Sequence, residues 1–185
     1  MYEEALGYCC SNIHFDKDGI TAAAVFMDLL STLTARNMTI TDYLNELYSE
    51  FGFFMSRNSY IRCEDKDIIR NIFARLRSGF EGGYVSKCGN TSVRRIRDVT
   101  MGYDSAPSGV SQLPRTPDSE MIMFSFDNGV SVIFRTSGTE PKIKYYSEIA
   151  GQVGQDAASV RETLYTFVDE CIEEFLQPEK HGLHK

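Results

Sequence analysis

The chain has 185 residues, a net charge of −7 and an apolar share of 42 %, which allows one domain, or a small domain with part of another, around a real core. The acidic balance excludes a typical nucleic-acid binder, which needs a basic face to displace counterions, but it leaves room for a phosphate wherever the few cations converge. No run approaches the ~18 uninterrupted apolar residues of a membrane span, and no basic-then-apolar leader pattern opens the chain, so no membrane partner is expected.

Residues 1–8 open on a charged stretch, and Asp18-Gly19 ends a short loop. Ile20 to Arg36 reads as a helix with Ala23, Met27, Leu30 and Leu33 on its apolar stripe, and Asn37 suits its end. Thr39-Ile40-Thr41-Asp42 is a capping box, opening a second helix that carries Leu44, Leu47, Tyr48 and Phe51 and stops at Gly52. Tyr60 to Cys63 reads as a short strand. Asp65 caps a helix with the stripe Ile68, Ile69, Ile72, Phe73 and Leu76, closed by Gly79. Residues 79–92 are Gly-rich and polar, and read as a loop.

Val93 to Thr100 alternates Val93, Ile96 and Val99 with Arg94, Arg95 and Arg97, a half-exposed strand whose arginines are expected on a solvated face. Residues 102–118, with three prolines, read as a long mobile loop. Asn128-Gly129 joins 121–127 to 130–135 as a hairpin. Lys142 to Ile149 is a further strand. Asp156 caps a last helix with Ala157, Val160, Leu164, Phe167, Cys171 and Phe175 inward, and Pro178 stops it. The five cysteines, with Cys9 and Cys10 adjacent, fit neither a disulfide framework nor zinc spacing, and read as reduced thiols of a soluble, cytoplasmic protein.

This order predicts an α+β fold from residue 56 onward: an antiparallel sheet with two helices on one face. Residues 1–55 hold two helices and no complete sheet, so they read as the end of a preceding domain.

The chemistry concentrates in Arg135-Thr136-Ser137-Gly138-Thr139-Glu140-Pro141, between two strand-like runs. A guanidinium presents a planar fork that matches phosphate oxygens in pairs. Ser137 and Thr139 add hydroxyl donors, and a turn at Gly138, free of a Cβ, tolerates positive φ and aims successive N–H groups inward as an anion nest. Lys142, Lys144 and Tyr146 share one strand face, Ile143 and Tyr145 the other, so the lysines deepen a positive well beside the loop. The Walker spacing and its following helix are absent. An ordinary polar hairpin loop is the alternative on residue chemistry alone.

With the basic, aromatic strand Lys142-Ile143-Lys144-Tyr145-Tyr146 behind it, this motif resembles the phosphate-binding loop in the C-terminal domain of the α-D-phosphohexomutases. The likeness is strongest to the branch holding phosphoglucomutase, phosphopentomutase and glucose-1,6-bisphosphate synthase, and it runs from Tyr2 to about Leu176. It implies that 56–185 is the fourth, TATA-box-binding-protein-like domain of such an enzyme and 1–55 the helical end of its α/β third domain. It also implies a phosphosugar partner held by Arg135, Thr136, Ser137, Gly138, Thr139 and Lys144.

Glu3-Glu4-Ala5-Leu6-Gly7 resembles the family's sugar-recognition loop, where a carboxylate accepts hydrogen bonds from vicinal hydroxyls. Glu3 matches the family glutamate, and Glu4 joins it as a candidate. Ala5 and Tyr2 depart from the usual serine and glycine, which leaves hexose against pentose open. His14 to Gly19 resembles the segment ending in Lys-Asp-Gly, so Lys17 is the candidate for proton transfer or phosphate contact, provided neighbouring cations or burial tune it; a plain loop lysine is the alternative. His14 reads as structural.

The family's phosphorylated serine loop and its aspartate cluster for Mg²⁺ do not occur in the sequence. The resemblance therefore places Mg²⁺, and activation by glucose 1,6-bisphosphate, in a full-length mutase or bisphosphate synthase, with this chain inactive alone. A non-catalytic phosphosugar-binding module is the alternative of another class.

Overall fold

A computed structural model describes residues 1–183 apart from 4, 5, 11, 13, 14, 80–82 and 108. The chain divides into two compact units, Met1–Phe51 and Gly52–Lys185.

The first unit contains a hairpin, β1 (Tyr2–Glu3) with β2 (Gly7–Tyr8), followed by α1 (Gly19–Ala35) and α2 (Ile40–Phe51). Asp18 caps α1, its carboxylate accepting the N–H of Ile20 at 3.0 Å and of Thr21 at 2.9 Å. The expected capping box opens α2: the Thr39 hydroxyl accepts the Asp42 N–H, and the Asp42 carboxylate accepts the Thr39 N–H. Two of the four predicted core positions of α1 are corrected, since Ala23 and Met27 are exposed and only Leu33 is fully buried. Leu44 and Phe51 of α2 are exposed as well. Within this unit there is too little structure to cover both stripes.

The second unit holds β3 (Phe54–Arg62), α3 (Lys66–Ser78), β4 (Lys87–Cys88), β5 (Thr91–Asp98), β6 (Tyr103–Asp104), β7 (Met121–Phe126), β8 (Ser131–Thr136), β9 (Lys142–Ala150) and α4 (Ala157–Cys171). A π-helical segment, Ile172–Leu176, continues α4, and a short turn α5 (Pro178–His181) follows. The antiparallel sheet runs in the order β3-β9-β8-β7-β5-β4, with β6 added on β5. Alternation decides its faces. Ile61, Ile122, Phe124, Val132, Phe134, Ile143 and Tyr145 turn to one side and share a core with Ile72, Phe73 and Leu76 of α3 and Val160, Leu164 and Val168 of α4. Phe175 sits in the middle, its ring 5.3 Å from Phe124 and 6.2 Å from Phe134. The expected α+β fold is what the chain adopts. No described helix is long and apolar enough to cross a membrane, and no disulfide joins any of Cys9, Cys10, Cys63, Cys88 and Cys171.

Several local expectations change. The strand expected at 60–63 begins at Phe54 and pairs with β9 from Phe54↔Ala150 through Arg62↔Lys142; the polar run Ser56-Arg57-Asn58-Ser59 in its middle shows no strand pattern. The 79–92 segment buries Val85 and Cys88 completely and contributes β4. The segment 102–118 is not a free loop. It supplies β6, and Thr116 N–H donates to Val99 O at 3.1 Å while Arg115 Nε donates to Thr100 O at 2.9 Å.

Arg95 and Arg97 are not simply solvated, because both pair with the buried carboxylate of Asp104, at 2.9 and 3.0 Å. Asn128-Gly129 does make a hairpin, in the three-residue form. Phe126 N–H donates to Val130 O, and Gly129 takes the left-handed position at φ 86°. Pro178 ends the long helix but is itself buried as the first residue of α5, after Gln177 at φ 48°.

Candidate functional site

The loop 137–141 joins β8 to β9, two interior strands of the sheet. Its base is tied down: Ser137 N–H donates to Lys142 O at 3.0 Å, and Lys142 N–H to Glu140 O at 2.8 Å. Thr136, the last residue of β8, is doubly bonded to Glu120, donating its N–H to Glu120 O at 2.9 Å and accepting the Glu120 N–H on its hydroxyl at 3.1 Å. Beyond this base the donors are unspent. Among the described residues, the N–H groups of Gly138, Thr139 and Glu140 and the hydroxyls of Ser137 and Thr139 have no hydrogen-bond partner. Such a run of unspent donors can receive an anion.

Gly138 does not use the positive φ open to it, and a Cβ there would meet nothing within 4 Å. The glycine leaves the loop crest open rather than enabling a turn. Thr136, Ser137, Gly138 and Thr139 line a cavity of about 530 Å³, together with Glu120, Glu140, Lys142 and, from the start of α3, Lys66 and Arg70.

Arg135 and Lys144 do not line this cavity. They stand opposite each other across β8 and β9, on the sheet face away from the helices. The Arg135 guanidinium is held by Tyr146, and Lys144 forms no ion pair among the described residues. Lys142 is already engaged. It pairs with Glu140, and its ammonium lies 4.3 Å from the centre of the Tyr60 ring. The Lys142 hydrogen bond, and then its charge, hold the Glu140 carboxyl below the usual carboxylate range. The positive charge in the cavity itself thus comes from Lys66 and Arg70, and less from Lys142 than the sequence implies, while Arg135 and Lys144 carry theirs on the other face of the sheet.

In the first unit Lys17 and Glu3 come together as an ion pair, Nζ to Oε2 at 2.6 Å. Gly7 leaves room for this pair, since a Cβ there would sit 2.3 Å from Lys17 Cδ and one of the two side chains would have to shift. The described partner of Lys17 is thus a carboxylate on a half-exposed side chain, and not the cation or deep burial that the acid–base role asks for. Glu4, Ala5 and His14 lie outside the described residues.

Sequence reasoning missed the polar cluster behind the loop. Arg77, near the end of α3, donates from Nε to Asp98 Oδ2 at 2.6 Å and pairs with Glu120 through Nη2. The Tyr84 hydroxyl donates to Asp98 Oδ2 at 3.0 Å. Burial pulls the guanidinium's pKa down, but the bonds to Asp98 and Glu120 overcome it and hold Arg77 above its ordinary value. Burial and the Asp98 charge push the Tyr84 phenol up. These residues are far apart in sequence; the only local hint was an aspartate ending an otherwise basic strand. Among the described residues no group of His, Cys, Asp or Glu can hold a metal ion, so no Mg²⁺ ligand is assigned to them.

No protein-family model matches the chain. It is 42 % identical over 186 residues to the glucose 1,6-bisphosphate synthase of Homo sapiens, covering 98 % of this chain and 30 % of that protein. With the same coverage it is 40 % identical to the phosphopentomutase of Mus musculus. The chain thus spans less than a third of the curated relatives it matches. Its fold resembles the open form of pp63/parafusin, a phosphoglucomutase from Paramecium, with a TM-score of 0.55 and 18 % identity over 93 % of this chain and 30 % of that one. With these relatives matched over nearly its whole length, the chain belongs to the α-D-phosphohexomutase family, in its phosphoglucomutase, phosphopentomutase and bisphosphate synthase branch.

Proposed function

We propose that this chain is the C-terminal, phosphate-binding part of an enzyme that moves a phosphoryl group between positions of a phosphosugar, with residues 1–55 belonging to the domain before it. The observation that carries this is the unspent donor set of Ser137, Gly138, Thr139 and Glu140 beside Arg135. These groups take the phosphate that is not transferred in a given half-reaction, and the energy gained there orients the reacting end of the sugar elsewhere. Arg135 and Lys144 supply charge, the loop amides and hydroxyls supply directed hydrogen bonds, and Thr136 fixes the base of the loop. Glu3 and Glu4 are the candidates for accepting sugar hydroxyls, and Lys17 for contacting the phosphosugar. If the bisphosphate intermediate turns over, the loop takes either phosphate of the same sugar in succession.

The nucleophilic serine and the Mg²⁺ ligands of a family mutase are not in this sequence, so no step of phosphoryl transfer is assigned to these residues. The full-length enzyme would be a mutase acting on hexose or pentose phosphates, or a bisphosphate synthase. The 42 % and 40 % identities to the two kinds of relative are too close to separate them.

Titration of the ¹⁵N-labelled chain with glucose 6-phosphate tests the site. Shifts centred on Gly138, Thr139 and Glu140, absent with glucose, are expected. Shifts elsewhere, or equal shifts with glucose, would overturn the assignment.

A further inference from the structure

Glu120 poses an electrostatic problem for the loop. It lines the same cavity as Ser137 and Thr139, and an uncompensated negative charge at that wall would repel an incoming phosphate. Its main chain cannot be moved away, because it bonds Thr136 in both directions and so sets the start of the loop.

The compensation comes from α3. Arg77 reaches Glu120 with Nη2 while Nε and Nη2 clasp Asp98 at 2.6 and 3.3 Å, and its guanidinium carbon lies 5.9 Å from the centre of the Phe73 ring. Asp98 is fully buried and is itself fixed by the Tyr84 hydroxyl at 3.0 Å and by the Met101 N–H at 3.1 Å. The guanidinium fork is therefore locked on one side by a rigid carboxylate and presents its remaining donors to Glu120.

We propose that Arg77 is a positioning residue for the phosphate loop: it neutralises Glu120 at the cavity wall and holds it in the place from which its main chain anchors Thr136. The proposal rests on the reading of 135–139 as a phosphate site. It gives Asp98 a role too, since without it the guanidinium would be free to leave Glu120.

The test uses the full 185-residue chain and inorganic phosphate at low ionic strength, read on the amides of Gly138, Thr139 and Glu140. Arg77→Gln leaves Glu120 uncompensated and should weaken phosphate binding roughly three- to tenfold. Arg77→Gln/Glu120→Gln should regain most of that affinity while its melting temperature stays low, because Asp98 still lacks its partner. That split between recovered binding and unrecovered stability is the mark of charge compensation, and a purely structural arginine would not give it. Arg77→Lys, which keeps the charge and loses the fork, should show an intermediate loss, and it serves if the glutamine variant does not fold. Unchanged phosphate affinity in both Arg77 variants, or no recovery in the double variant, overturns the inference alone. A wild-type chain whose loop amides ignore phosphate overturns the phosphate reading, and this inference with it.

Discussion

The guanidinium of Arg135 donates from Nη2 to the Tyr146 hydroxyl at 2.9 Å and lies 5.2 Å from the centre of the same ring. The two side chains project from neighbouring strands on the open face of the sheet, so Tyr146 holds the arginine beside the loop before any ligand arrives. Arg135→Ala in the full-length enzyme should therefore remove a charge-assisted, bidentate-capable contact of about 1.5–3 kcal/mol. That corresponds to roughly 10–100-fold weaker apparent affinity for the phosphosugar. Arg135 is exposed, so the melting temperature should hardly move. Arg135→Lys should recover part of the loss. Unchanged kinetics with a sharply lower melting temperature would show the arginine to be structural.

Hydrogen exchange should divide the chain at about residue 52. No residue of α2 is fully buried, whereas β7 and β8 bury Ile122, Phe124, Phe126, Val132 and Phe134 completely. Amides of Ile40–Phe51 should exchange faster than those of Met121–Phe126. The reverse order would refute separate folding of the second unit.

Asp104 predicts an acid limb of stability. The Arg95 hydrogen bond, and then the Ala106 N–H, hold its carboxyl well below the usual carboxylate range. A folded value below the unfolded ~3.9 means that the stabilisation is complete above that pH and is lost as pH falls through the folded value. Asp104→Asn should destabilise the chain at pH 7 and make much less difference near pH 2. Equal destabilisation at both pH values in urea titrations would remove Asp104 as the source.

Gly52→Ala should be among the more damaging surface-remote changes. The residue sits at φ 83°, and a Cβ would lie 2.3 Å from the Gly151 carbonyl oxygen. Left-handed strain alone costs about 1–2 kcal/mol, and moving Gly151 would disturb its 2.8 Å bond to Phe53 O. Chemical denaturation should report a loss of at least about 2 kcal/mol.

The features that were legible in the sequence are those written over a few neighbouring residues. Asp65 and Asp156 cap their helices as expected, because a cap needs only its own next turn. The donor loop was legible for the same reason. The Arg77–Asp98–Glu120 cluster was not, since its members meet only after α3, β5 and the residue before β7 have packed. Arg95 and Arg97 looked solvated because Asp104, their partner, sits in a stretch whose prolines and serines suggested a loop. The Lys142–Glu140 pair lay in plain view, but sequence gives no sign that the two side chains turn toward each other instead of toward a ligand.

The placement of the loop between β8 and β9 has a mechanical consequence. A force applied at Gly138 enters both strands along their lengths, as shear on ladders flanked by β7 on one side and β3 on the other. Sheets are stiff against such loading because many hydrogen bonds share it and the close-packed core beneath yields little. Such a tug is then taken up by the whole sheet and its helices together, and little of it is lost in bending the loop.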